Sequence, residues 1–127
     1  FVRQALRGEP ITVLGDGSQR RSFTYVGDTV RCLHGLALCP EAVGQVCNVG
    51  SQHEIAIRDL AETIKQMTGS TSPIVYKTYQ EVYGENFVDM ARRLPDTRRL
   101  AQAIGYTPDT PLATTLEAVI AFAREHP

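Results

Sequence analysis

Between Pro10 and Asp28 the residues dictate where the chain extends and where it turns, and this stretch limits the possible folds more than any other. Ile11-Thr12-Val13-Leu14 is a β-branched run bounded by Pro10 and Gly15, which reads as a short strand. Asp16-Gly17 is a strong turn dipeptide, after which Arg21-Ser22-Phe23 returns as a second extended segment. From Val26 to Leu38, Val26, Val30, Leu33 and Ala37 recur at helical spacing and predict a helix with one buried face, closed by Pro40. Asp28 sits in its first turn, where a carboxylate suits the exposed amides. A turn that leads into Arg20-Arg21 admits two readings. A guanidinium held behind a turn offers a planar fork of donors matching the paired oxygens of a phosphate. Equally, the turn is a hairpin that needs glycine for positive φ and whose arginines face water. Neighbours on an extended segment point to opposite sides, so Arg20 and Arg21 are not equivalent.

The remaining chain alternates short strands with helices. Phe1 to Arg7 resembles the tail of a helix that Gly8 ends in the left-handed conformation. Gln45-Val46-Cys47-Asn48-Val49-Gly50 reads as a buried strand with a special backbone at its exit. Ile57, Leu60, Ala61 and Ile64 mark an amphipathic helix capped by Gly69, and Pro73-Ile74-Val75-Tyr76 reads as a further strand. Tyr79 to Leu94 lacks periodicity and is expected to be a long loop with one helical turn, a length more often functional than idle. Asp96 caps a helix carrying Leu100, Ala103 and Ile104, ended by Gly105. Thr110-Pro111 opens a last helix with Leu112, Leu116, Val119, Ile120 and Ala123 on one face. The expected fold is α/β, a small mixed domain of about four helices and three or four short strands.

Length and charge exclude several classes of function. The 127 residues fit one domain, able to bury a core without disulfides or metal. Thirteen Lys plus Arg against fourteen Asp plus Glu leave a net charge of −1, without the basic field that nucleic acid requires. No apolar run reaches the length of a membrane-spanning helix, and no signal-peptide pattern opens the chain. Cys32, Cys39 and Cys47 form an odd set without a C-x-x-C pair, so neither a disulfide framework nor a zinc site is encoded. They are read as reduced and packed, hence as a sign of a cytoplasmic protein. No metal site is expected around His34, His53 or His126. The opening Phe1-Val2-Arg3, without methionine, reads as part of something longer.

Five motifs in order now carry a resemblance that covers essentially the whole chain. These are Gly8-Glu9-Pro10-Ile11-Thr12-Val13; Gly15-Asp16-Gly17-Ser18-Gln19 with Arg21, Phe23, Tyr25-Val26 and Asp28; Asn48-Val49-Gly50; Asp89 with Arg93 and Pro95-Asp96; and Ile104-Gly105-Tyr106-Thr107-Pro108. The set resembles the C-terminal substrate-binding lobe of NAD-dependent nucleotide-sugar epimerases, dehydratases and decarboxylases. These are the extended short-chain dehydrogenase/reductases, among them UDP-glucose 4-epimerase and UDP-glucuronate decarboxylase. The resemblance implies that residues 1–127 form the nucleotide-sugar-binding domain, with the N-terminal Rossmann domain absent. It implies that Arg21 contacts the nucleotide diphosphate, Gln19 lines the same pocket and Val13 lies near the base. Asn48 would hydrogen-bond the nucleotide, Gly50 would let the chain pass close, and Arg93 would clamp the phosphates from a second side. The implied ligand is a nucleotide-diphosphate sugar, specifically a UDP-sugar, and the implied parent is a homodimer that binds NAD.

The family's remaining machinery is missing from these residues. Gly15-x-Gly17 lacks the third glycine of a dinucleotide fingerprint and precedes no helix of that kind. The catalytic Tyr and Lys stand four apart in the family, but the residues four after Tyr25, Tyr76, Tyr79, Tyr83 and Tyr106 are Thr29, Gln80, Tyr83, Phe87 and Thr110. No catalytic residue is therefore expected here, and no turnover by this chain alone. Two functions follow: the recognition lobe of a sugar-nucleotide enzyme, or a stand-alone, non-catalytic α/β binding or interaction module.

Overall fold

A computed structural model describes residues 1–85, 87 and 89–126. In chain order they form α1 (Val2–Arg7), β1 (Ile11–Leu14), β2 (Arg20–Ser22), α2 (Val26–Ala37), a 3₁₀ turn (Pro40–Ala42), β3 (Glu54–Ala56), α3 (Ile57–Thr68), β4 (Ile74–Lys77), α4 (Tyr79–Tyr83), β5 (Arg92–Arg93), α5 (Arg98–Ile104) and α6 (Leu112–Glu125). The architecture is mixed α/β with two small sheets. β1 pairs with β4, and β3, β2 and β5 form the second in the order β3-β2-β5. The chain divides into two compact units, one of residues 1–21, 55–92 and 116–127, the other of 22–54 and 93–115.

In the first unit β1 and β4 run parallel in the register Ile11↔Ile74 to Leu14↔Lys77. The β-branched residues Ile11 and Val13 share one face of β1 and are completely buried. α3 packs on β1 and α1 through Leu60, Ala61 and Ile64, the stripe that the spacing predicts. Gly8 and Gly69 end α1 and α3 at φ 71° and 67°, where only glycine escapes a Cβ clash. Gln4 fastens α1 to the strand by bonding both the Thr12 amide and its hydroxyl at 3.3 Å. From α6, Leu116, Ile120 and Ala123 complete this core, whereas Val119 is exposed.

The turn after β1 is not a hairpin. β1 finds its partner in β4, sixty residues on, and β2 pairs in the other sheet. Tyr79 to Leu94 also holds more order than expected. Thr78 and Glu81 form a reciprocal capping box that starts α4, and Arg92–Arg93 forms β5.

In the second unit α2 packs on α5, with Gly35 leaving room for the Ile104 side chain. The expected buried face of α2 is reversed. Val26, Val30 and Leu33 are 68, 59 and 58% exposed, and Ala37 is exposed as well. The buried positions are Asp28 and Cys32, because the groups that pack here, Ile104, Tyr106 and Thr110, address the opposite side of the helix. The expected strand at 45–50 does not form. Val46 is 75% exposed, its carbonyl accepts from Arg99 Nη1 at 3.4 Å, and the nearest strand is β3 at 54–56. Asp96 does meet the start of α5, accepting the Arg98 amide at 3.1 Å from one residue before the Thr97 cap position. Among the described residues no helix is long and apolar enough to cross a membrane.

Candidate functional site

The turn between β1 and β2 is rigid because each of its residues is committed. Gly15 and Gly17 adopt φ 65° and 71°. A Cβ on Gly15 would lie 2.9 Å from the Tyr79 ring, and one on Gly17 would lie 2.8 and 2.9 Å from the side chains of Arg58 and Val13. Between them Asp16 accepts the amide and hydroxyl of Ser18 at 2.9 and 2.6 Å, an Asx turn that also holds its carboxyl below the usual carboxylate range. Past the turn, the carbonyls of Gly17 and Gln19 accept the amides of Arg58 and Ile57, fixing the exit to the start of α3.

Gln19 and Arg21 leave this turn into a single polar network. The Gln19 amide donates to the Leu14 carbonyl and to Tyr79 Oη, both at 2.9 Å. Tyr79 Oη donates to Asp89 Oδ2 at 2.7 Å, and Arg21 Nη2 donates to both Asp89 oxygens at 2.7 Å. Arg21 Nη1 also donates to the Arg20 carbonyl at 2.8 Å. The side chains of the ion pair are only 16 and 23% exposed, so the pair is screened less than a surface one. Asp89 is held below the usual carboxylate range by the Tyr79 hydroxyl bond and the Arg21 charge, against the opposing effect of burial. Burial, then the bond to Asp89, pushes the Tyr79 hydroxyl up to about 12, so it stays protonated as the donor.

Val13 lies under the turn with its side chain wholly enclosed, against Gly17. Gln19 and Arg21 are thus brought together through Tyr79 and Asp89. Arg20, by contrast, is exposed.

Asn48 and Arg93 belong to the second unit. Asn48 Nδ2 donates to the Asp96 carbonyl at 3.2 Å, and Gly50 has the Pro95 ring where a Cβ would sit, at 2.6 Å. Gln52 donates to the Pro95 carbonyl at 2.8 Å, so the 48–52 segment is laid along Pro95 and Asp96. The Arg93 side chain is exposed and has no hydrogen-bond or ion-pair partner among the described residues. An open cleft of about 440 Å³ is lined here by Val46, Asn48, Asp96, Arg98, Arg99 and Gln102.

Two groups of residues escape sequence reasoning. Tyr79, the hinge of the Gln19–Arg21 network, falls in the stretch without periodicity. Asp28 proves to be more than a first-turn carboxylate. It accepts Tyr106 Oη and Thr110 Oγ1 at 2.8 Å and the Thr110 amide at 3.1 Å, while Arg31 covers the Tyr106 ring at 4.0 Å. The partners stand about eighty positions apart, and the only signal is that Asp28 and Tyr106 both lie in the ordered motif set.

The model of the NAD dependent epimerase/dehydratase family matches residues 1–50. A UDP-N-acetyl-alpha-D-glucosaminuronate decarboxylase of Bacillus cytotoxicus is 36% identical over 126 residues, covering 98% of this chain and 39% of the relative. UDP-glucuronic acid decarboxylase 1 of Xenopus tropicalis is 37% identical over 125 residues, covering 98% and 28%. Among solved structures, UDP-glucose 4-epimerase of Thermotoga maritima with UDP-glucose matches with a TM-score of 0.83 at 25% identity, over 98% of this chain and 38% of that one. MoeE5 in complex with UDP-glucuronic acid and NAD matches with a TM-score of 0.86 at 28% identity, over 99% and 40%. The chain spans 40% or less of each of these relatives.

Proposed function

Because the chain belongs to the family of NAD-dependent nucleotide-sugar epimerases and dehydratases, we propose that it forms the lobe that grips the nucleotide of a UDP-sugar. On this reading Arg21 and Arg93 bind the diphosphate, Gln19 lines the same pocket, Asn48 hydrogen-bonds the nucleotide, and Val13 supports the turn from beneath. The observation that carries the reading is the anchoring of the Arg21 guanidinium beside Gln19, directly behind a turn of fixed shape. Such an arginine suits paired anionic oxygens, and charge-assisted contacts to them are strong and geometrically selective. Binding energy from the non-reacting nucleotide would then orient the sugar, the part of the substrate that changes.

The Gly15–Gly17 turn does not fit the pyrophosphate of NAD. It runs into β2 rather than a helix, Asp16 already takes the Ser18 amide, and Val13 and Arg58 fill the space beside Gly17. NAD therefore belongs, on this reading, to other parts of the protein.

Calorimetry with UDP on the full-length protein tests the proposal. Arg21→Ala and Arg93→Ala each remove charged donors and are expected to weaken binding by roughly ten- to a hundredfold, the equivalent of about 1.5–3 kcal/mol. Arg20→Ala is expected to change it little. Equal losses at Arg20 and Arg21 would contradict the assignment.

A further inference from the structure

We propose that Asp89 and Tyr79 are positioning residues that hold the Arg21 guanidinium in one orientation, so that an arriving phosphate meets a preformed donor edge. The inference rests on the reading of Arg21 as a diphosphate ligand. A free arginine side chain gives up most of its rotational freedom when it clasps an anion. Arg21 has given it up beforehand, through two bonds from Nη2 to Asp89 at 2.7 Å and one from Nη1 to the Arg20 carbonyl at 2.8 Å. Both Asp89 contacts fall on the one nitrogen Nη2, and one Nη1–H goes to the Arg20 carbonyl. Among the described residues the Nε–H and one Nη1–H are left for another acceptor.

The holders are themselves held. Asp89 also accepts the Tyr79 hydroxyl at 2.7 Å and the Met90 amide at 2.8 Å. The Tyr79 ring is wedged against Gly15, 2.9 Å from where a Cβ would be, and stacks on Phe87 with centroids 5.4 Å apart. The Gln19 amide, pinned to the Leu14 carbonyl, closes the chain of bonds at Tyr79 Oη. Gln19 and Arg21 are thus set in fixed mutual geometry by one tyrosine and one carboxylate. Were Asp89 instead occupying the phosphate's own place, it would be expected to span two guanidinium nitrogens as a bidentate anion does. Both its oxygens meet Nη2 alone.

The test is UDP calorimetry on the full-length protein with Arg21→Ala, Asp89→Asn, Asp89→Glu, Tyr79→Phe and the double variant Arg21→Ala/Asp89→Asn. Asp89→Asn is expected to weaken binding about three- to tenfold, the size of the ordering cost of one long side chain, and Asp89→Glu to recover part of it. The double variant should bind no more weakly than Arg21→Ala alone, because Asp89 acts only through Arg21. A purely structural role would instead give losses that add. Unchanged or tighter binding in Asp89→Asn overturns the positioning role. Should Asp89→Asn fail to fold by circular dichroism, the same cycle is read with Tyr79→Phe, which keeps the wedged ring. If Arg21→Ala leaves UDP affinity unchanged, the nucleotide reading itself falls and takes this inference with it. A loss in Arg21→Ala with none in Asp89→Asn or Tyr79→Phe defeats the positioning role alone.

Discussion

Replacing Asp28 by asparagine should expose how much of the second unit hangs on one carboxylate. Asp28 is 7% exposed and accepts three hydrogen bonds, from Tyr106 Oη, Thr110 Oγ1 and the Thr110 amide. Hydrogen bonds to a charged group contribute about 1.5–3 kcal/mol each when the partner would otherwise be buried. Tyr106 and Thr110 are only half-buried, so each regains much of its loss from water. The asparagine oxygen keeps one or two of the three bonds, while its amide turns donors toward donors. The net cost should be about 2 kcal/mol at pH 7, read as a fall in the urea midpoint with unchanged slope. The sign of the pH dependence follows from the direction of the shift. Burial raises the Asp28 pKa, but the bonds from Thr110 and Tyr106 and the Arg31 charge outweigh it, leaving the carboxyl below its ordinary value. A group with a depressed folded pKa contributes stability that is complete above the unfolded value, about 3.9, and is lost as pH falls through the folded one. The gap between the two proteins should therefore stay constant from pH 7 to about 5 and narrow below about 4. A cost under about 0.5 kcal/mol, the range of ordinary surface changes, or a gap that widens in acid, would refute the reasoning.

Three further substitutions probe the core of the second unit and two left-handed glycine positions of the first. Leu100 is completely buried on α5, so Leu100→Ala should cost about 2–5 kcal/mol in urea unfolding through lost burial and the cavity left behind. Gly17→Ala and Gly69→Ala share nearly the same positive φ, but only Gly17 has side chains within 3 Å of the added Cβ. Gly69→Ala should cost about 1 kcal/mol from backbone strain alone. Gly17→Ala should cost clearly more and should also weaken UDP binding, and equal unfolding costs would show that the turn has room to give.

The strands and helices that sequence reasoning found are those whose signals are local. Gly8 and Gly69 mark helix ends because a left-handed residue is a property of one position, and both stand where expected. The α3 stripe was legible because its period and its burial agree. For α2 the period is helical and the helix exists, yet the apolar stripe faces outward. Periodicity reveals a face; it does not reveal what covers it. The buried side is chosen by Ile104, Tyr106 and Thr110, and local pattern holds no trace of residues about seventy to eighty positions away. The 45–50 segment failed for a related reason. Its apolar letters suit a strand, but Asn48 and the Val46 carbonyl bond to groups around the start of α5 instead of a neighbouring strand.

The candidate site divides along the same line. Motif order singled out Gln19, Arg21, Asn48 and Arg93, because turns and charged residues at fixed spacing can be read one position at a time. What it left out is the state of each arginine. The Arg21 side chain is already paired and partly buried, whereas the Arg93 side chain is exposed with no partner among the described residues. Two arginines with the same assigned role therefore bring different energetics to it. Arg93 must lose its freedom when it binds, and its exposed charge makes its contribution sensitive to salt. Arg21 arrives ordered but with its charge shared with Asp89, so its contribution should depend less on ionic strength and more on geometry. Between 50 mM and 500 mM salt, the affinity that remains in Arg93→Ala should fall less than the affinity that remains in Arg21→Ala. Identical salt slopes for the two variants would mean that the Asp89 pairing does not persist when the nucleotide is bound.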